Sequence, residues 1–247
     1  MKKHRKKIII GIIGLLLLIY VGVNGYLVNY AFVRDSARLG APAPKKAELL
    51  KKDQAWLAQT KQQTWTEKSA DGKLTLKARY VPAKKVTNET IVIAHGYREN
   101  SLLMASYIRM FHDLGYNVLA PDDRGAGRSE GHYITFGWQD RLDYQNWLKQ
   151  LIAKKGQDSK IGLFGVSMGG ATVMMMSGEK LPKQVKVIVE DCGYSSINEE
   201  LGTQLSAQFG LPKEPILTTA SWMAQPFIGF NFKNGSATEQ LKQNKLP

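Results

Sequence analysis

The sequence predicts an α/β fold with a mostly parallel sheet flanked by helices, and three observations carry that prediction. Between Thr90 and Val189, short apolar runs rich in β-forming residues alternate with longer stretches of helical periodicity. The runs Thr90–Ala94 and Val185–Val189 are nearly continuous in apolar residues, the mark of strands covered on both faces. Finally, Ile161 to Ala171 reads Ile-Gly-Leu-Phe-Gly-Val-Ser-Met-Gly-Gly-Ala, an apolar run that ends in Gly-x-Ser-x-Gly and passes directly into helix formers. In an open sheet of this kind, the site lies at the carboxyl ends of the strands.

The chain divides into three parts: residues 1–33, a basic cap and membrane anchor; 34–63, a juxtamembrane spacer and amphipathic helix; and 64–247, the globular domain, with a helical cap at about 196–235. Ile8 to Val33 carries no charge over 26 residues, and as a helix it would reach about 39 Å, enough to cross a hydrocarbon core of about 30 Å. A signal peptide usually has a shorter apolar run, and the nearest small-x-small site, Ala41-Pro42-Ala43, lies well beyond this one. An uncleaved single-pass anchor in the cell membrane is therefore expected. Its basic N-terminus would stay in the cytoplasm, leaving the globular domain extracytoplasmic. Arg34 to Pro44, with Ala-Pro-Ala-Pro, is an extended spacer. From Lys45 to Gln63, Leu49, Leu50, Trp56 and Leu57 recur at helical spacing, giving a helix that docks on the domain or lies on the membrane surface.

Within the domain, Asp71-Gly72 is a turn signal in a hairpin over Gln63–Pro82, whose second arm alternates through Leu74, Leu76, Ala78 and Tyr80. Met104–Leu114 and Trp138–Ala153 read as helices, and Asn117–Ala120 as a strand. Ser196–Phe209 and Ile216–Gly229 are helical candidates, and Ser236-Ala237-Thr238-Glu239 is a capping box.

Net charge is +13, five of it in Lys2, Lys3, Arg5, Lys6 and Lys7. No basic helix with interleaved aromatics appears, so the surplus reads as an anion-attracting surface facing lipid headgroups or an envelope polymer, with no nucleic-acid partner expected. Cys192 is the single cysteine, which excludes an intrachain disulfide, and its place after an apolar run suggests a buried, inert thiol. Metal-ligand spacings of cysteine or histidine are lacking too, so no metal or cofactor is expected.

The Gly-x-Ser-x-Gly pattern puts Ser167 on a sharp strand-to-helix turn, with Gly165 and Gly169 where side chains would collide. Such a turn lifts the hydroxyl above the sheet and aims the next backbone N–H, that of Met168, at a developing oxyanion. Together with His95-Gly96 closing one strand and Asp123-Arg124-Gly125-x-Gly127-x-Ser129 following another, it resembles the α/β-hydrolase fold family, in its membrane-anchored bacterial branch similar to serine aminopeptidases and esterases.

By that resemblance Ser167 is a nucleophile toward an ester, thioester or peptide carbonyl of a small-molecule substrate, and the N–H groups of Met168 and Tyr97 form the oxyanion hole. The cap would roof a substrate pocket with Trp222, Met223 and Phe227. His95 is expected to bond its own loop, Asp123 and Arg124 to form an internal ion pair, and His112, on a surface helix, and His132, in a loop, to be structural or solvated.

One departure stands out. The family orders its triad Ser, acid, His, yet His4, His95, His112 and His132 all precede Ser167. The triad histidine is absent from the chain, and the acid is absent too, with Asp191 as the alternative. Relative to the family the chain looks cut short at Pro247, which would leave Val185–Val189 as a sheet edge and the hydrolase weak or inactive. A non-catalytic binding protein at the cell envelope is the competing expectation.

Overall fold

The computed structural model describes residues 2–34 and 44–247. The spacer lies outside the described residues except at its two ends, and so does Ala41-Pro42-Ala43.

Helix α1 (Lys2–Phe32) is the uncharged N-terminal run with its basic cap. Within His4–Phe32 its most apolar 18-residue window has a mean hydropathy of 2.5, and the helix is long and apolar enough to cross a bilayer. Helix α2 (Pro44–Gln59) follows. It docks on the domain, where Leu57 is fully buried with Leu50 and Trp56 alongside, and Asp53 accepts from Arg109 at 2.9 Å. Leu49 stays exposed, because docking uses only one stripe of the helix.

The hairpin is β1 (Gln63–Lys68) and β2 (Thr75–Val81), paired antiparallel from Gln63↔Tyr80 to Lys68↔Thr75. Trp65 stacks on Tyr80 with ring centres 4.5 Å apart, a cross-strand aromatic pair. Then come β3 (Glu89–Ala94), α3 (Ala105–Asp113), β4 (Asn117–Asp122), α4 (Asp140–Lys155), β5 (Lys160–Val166), α5 (Met168–Met176) and β6 (Val185–Asp191). The sheet runs β1-β2-β4-β3-β5-β6, parallel from β4 to β6 and antiparallel at the hairpin.

Period-two alternation splits the core between the two faces of the sheet. Val92, Ala94 and Leu163 meet Trp147, Leu148 and Leu151 of α4 and Val173 of α5 on one face, while Ile93 and Phe164 meet α2 and α3 on the other. Strand β6 sits at the sheet edge, where Val185 is buried, Val189 is 47% exposed and the Ile188 N–H donates to the Pro247 carbonyl at 3.0 Å. Beyond it, α6 (Ile197–Phe209) and α7 (Ile216–Ile228) form the cap, and α8 (Ala237–Leu241) begins at Ser236, whose hydroxyl accepts from the Glu239 N–H.

The cap shares a third apolar cluster with the end of α1, where Phe32 stacks on Phe232 and packs against Phe136. Because Leu57 has no exposed surface, Leu57→Ala should lower unfolding stability by about 2–5 kcal/mol, read as a fall in the urea midpoint with an unchanged m-value.

Candidate active site

Strand β5 turns into α5 through Ser167, which holds φ 54° and ψ −117°, a conformation non-glycine residues rarely take. The turn is possible because backbone touches backbone. A Cβ on Gly165 would lie 2.1 Å from the Gly169 carbonyl oxygen, and a Cβ on Gly169 would lie 2.1 Å from that of Ala94. The Ser167 N–H donates to the Asp191 carbonyl at 2.8 Å, tying the turn to the end of β6.

Ser167, Met168, Gly96 and Tyr97 line one cavity of about 480 Å³. Neither the Met168 N–H nor the Tyr97 N–H has a hydrogen-bond partner among the described residues, and neither has the Ser167 hydroxyl. Tyr97 is fixed from its other end, its hydroxyl donating to the Ala31 carbonyl of α1 at 2.7 Å.

No described histidine hydrogen-bonds Ser167. His95 is buried and spends both ring nitrogens on backbone: Nε2 accepts from the Asp123 N–H at 3.0 Å, so Nδ1 donates to the Gly96 carbonyl at 2.8 Å. His112 is buried on the inner face of α3 against Trp56, the structural rather than the solvated of its two expected states, because α2 covers that helix. His132 is exposed. The Asp191 carboxylate is exposed, and its only described hydrogen bond is from the Tyr107 hydroxyl at 3.4 Å, so it orients no imidazole.

The expected Asp123–Arg124 ion pair is also corrected. Neighbours in an extended turn point apart, so Arg124 reaches Asp143 at 2.6 Å and Asp71 at 3.1 Å, whereas Asp123 faces His95 at 3.6 Å and accepts from the Tyr144 hydroxyl at 2.9 Å. Complete burial pushes the Asp123 carboxyl up to about 7; His95 opposes the shift and Asp140 adds to it.

The cavity walls come from places that local pattern did not mark. Leu27, Val28 and Ala31 of α1 form one side, and Leu201 and Leu205 of α6 with Leu217 and Ala220 of α7 form the other. Trp222, Met223 and Phe227 do not line it, a correction to the sequence expectation. Helix α7 is rich in large apolar residues, and its buried stripe is Leu217, Ala220, Ser221, Ala224 and Ile228, which turns Trp222 and Phe227 outward at 65% and 62% exposure. Met223 packs instead beside Gly25 of α1. Cys192 is likewise exposed rather than buried, at φ 53° on the loop after β6, where it joins the cavity rim.

A mixed sheet in this strand order, flanked by helices and bearing a serine elbow at the end of β5, defines an α/β hydrolase. The model of the serine aminopeptidase S33 family matches residues 85–243, and the chain belongs to that family. It is 32% identical over 168 residues, 68% of its own length, to the uncharacterized protein YqkD of Bacillus subtilis strain 168, and spans 55% of that relative's length. Among solved structures it is similar to the Pyrococcus furiosus esterase Pf2001, with a TM-score of 0.59 and 23% identity over 85% of this chain and 73% of that one. An α/β hydrolase from Vibrio vulnificus is similar at a TM-score of 0.54 and 20% identity over 86% and 78%. At such identities these two structures speak for the fold.

The raised Asp123 pKa has a consequence for stability. The folded protein keeps a proton there that the unfolded chain releases above about pH 4, so this contribution to stability is complete below that value and is lost as pH rises through about 7. Wild type should therefore lose on the order of 2 kcal/mol between pH 5 and 8 in urea unfolding, and Asp123→Asn, which keeps an acceptor for Tyr144, should remove most of that slope.

Proposed function

We propose that this chain is a membrane-tethered serine hydrolase that attacks an ester, thioester or peptide carbonyl through Ser167. The observation that carries the reading is the strained turn, which holds an unengaged hydroxyl in a largely apolar cavity beside two unengaged backbone N–H groups. The Ser167 oxygen bonds to the carbonyl carbon, and the carbonyl oxygen becomes an oxyanion accepting from Met168 and Tyr97. Collapse expels the alcohol, thiol or amine with a proton, and water then cleaves the acyl-enzyme.

With no imidazole bonded to Ser167 among the described residues, the hydroxyl gives up its proton to solvent. Loss of the triad base costs about 10⁶ in turnover in a serine protease, so this stretch of chain should be a slow nucleophile. The exposed aromatics of the cap helices and the net charge of +13 favour a second reading, a non-catalytic protein that uses the cap and basic surface to bind at the cell envelope.

A fluorophosphonate probe separates the two. Slow labelling confined to Ser167 and abolished by Ser167→Ala supports the nucleophile. Labelling that survives the substitution overturns it, rapid stoichiometric labelling overturns the claim of weak activity, and none at all favours the binding protein.

The uncharged α1 with its basic N-terminal cap supports a single-pass anchor whose N-terminus is cytoplasmic. Protease added outside intact cells should then cut the domain, and a domain left whole would overturn that orientation.

A further inference from the structure

The anchor helix does more than tether. Beyond its last cation, Lys7, α1 stays largely uncovered from Ile8 to Val23, and then Asn24, Leu27 and Phe32 are buried against the domain. Those sixteen uncovered residues rise about 24 Å, whereas a hydrocarbon core of about 30 Å needs about 20. With the cations of its cap at one interface, hydrocarbon therefore continues to about Leu27, into the segment that touches the cap. The helix is held firmly from Tyr20 onward: the Tyr20 hydroxyl meets the Thr219 hydroxyl of α7 at 2.8 Å, Met223 packs beside Gly25, and the Ile134 N–H donates to the Phe32 carbonyl at 2.8 Å.

The domain surface at this level has the character such a position demands. Trp222 and Phe227 stand exposed on α7, and Phe209, at the end of α6, packs edge-on against Tyr26 and Tyr30 of α1. Tryptophan and tyrosine gather where headgroups meet acyl chains. Next to this band, Leu27, Val28 and Ala31 wall the cavity that contains Ser167, opposite Leu205 and Ala220. Its volume, about 480 Å³, falls in the range of about 300–1,000 Å³ that holds a small ligand.

We propose that the cavity is filled from the bilayer. Its substrate is an acyl lipid of the surrounding leaflet, whose chain lies between α1 and the cap helices while its carbonyl reaches Ser167, and the aromatic face of α7 seats the cap in the headgroup layer. This rests on the membrane-tethered reading above and adds to it the class of substrate and its route of entry.

The test uses the full chain in vesicles of phosphatidylethanolamine and phosphatidylglycerol doped with a phospholipid whose acyl chain carries a photoreactive diazirine, with adducts mapped by mass spectrometry. Adducts are expected on the uncovered part of α1 and also on Leu201, Leu205, Leu217 or Ala220. Adducts on α1 alone overturn the lipid-fed cavity and leave the anchor standing. Adducts in the cavity alone sustain the cavity assignment and overturn the anchor, while adducts on neither overturn both. Val28→Trp, which narrows the passage, should cut the cavity adducts several-fold with those on α1 unchanged. Equal cavity labelling in the variant and wild type would overturn the route between α1 and the cap.

Discussion

Two chain segments come into backbone contact at the carboxyl ends of β3 and β5, and the geometry of the site hangs on that contact. Gly169 lies against the Ala94 carbonyl and Gly165 against Gly169, with no room for a methyl group at either. The positive φ of Ser167 persists only because this packing holds it. It brings the first N–H of α5 beside the loop that follows β3, so the hydroxyl and the two unengaged donors meet in one cavity. The cost of the conformation is met by the covered sheet on either side.

Buried charge supports the same corner from below. Arg124 bridges Asp143 of α4 and Asp71 of the hairpin turn, and Asp122 accepts from the Ser101 N–H at 2.7 Å and from Arg128 at 2.9 Å. Removing one member of such a buried set strands the other, so the loop after β4 has few alternative conformations. His95 belongs to this frame: with both ring nitrogens committed to backbone, it joins the ends of β3 and β4 and is not available as a base for Ser167.

The end of α1 is built into the domain in the same manner. Phe32 stacks on Phe232 and lies tilted against Phe136, and the Ala31 carbonyl holds Tyr97, the residue that carries one of the two free N–H groups. A shift of α1 would therefore be felt at the candidate oxyanion site. Helix, cap and elbow form one apolar unit, distinct from the two clusters that cover the faces of the sheet.

Most of the scaffold was legible in the residues. Continuous apolar runs marked β3 and β6, alternation and Asp-Gly marked the hairpin, and the paired glycines marked the turn at Ser167, because each of these signals depends on a residue and its near neighbours. The partners of side chains were not. Helix α7 carries large apolar residues on more than one side, so its own pattern did not say that Trp222 and Phe227 face outward, and the choice fell to α1, which lies nearly 200 residues earlier. His112 went inside because α2 covers it, and Arg124 passed over its neighbour Asp123 for Asp143 because side chains of successive residues diverge. By itself the sequence determined the alternation of strand and helix, the bend at Ser167 and the lack of any histidine after it. Which walls enclose that serine was decided only by tertiary structure, since burial is settled by what packs against a surface and not by the residues that make it.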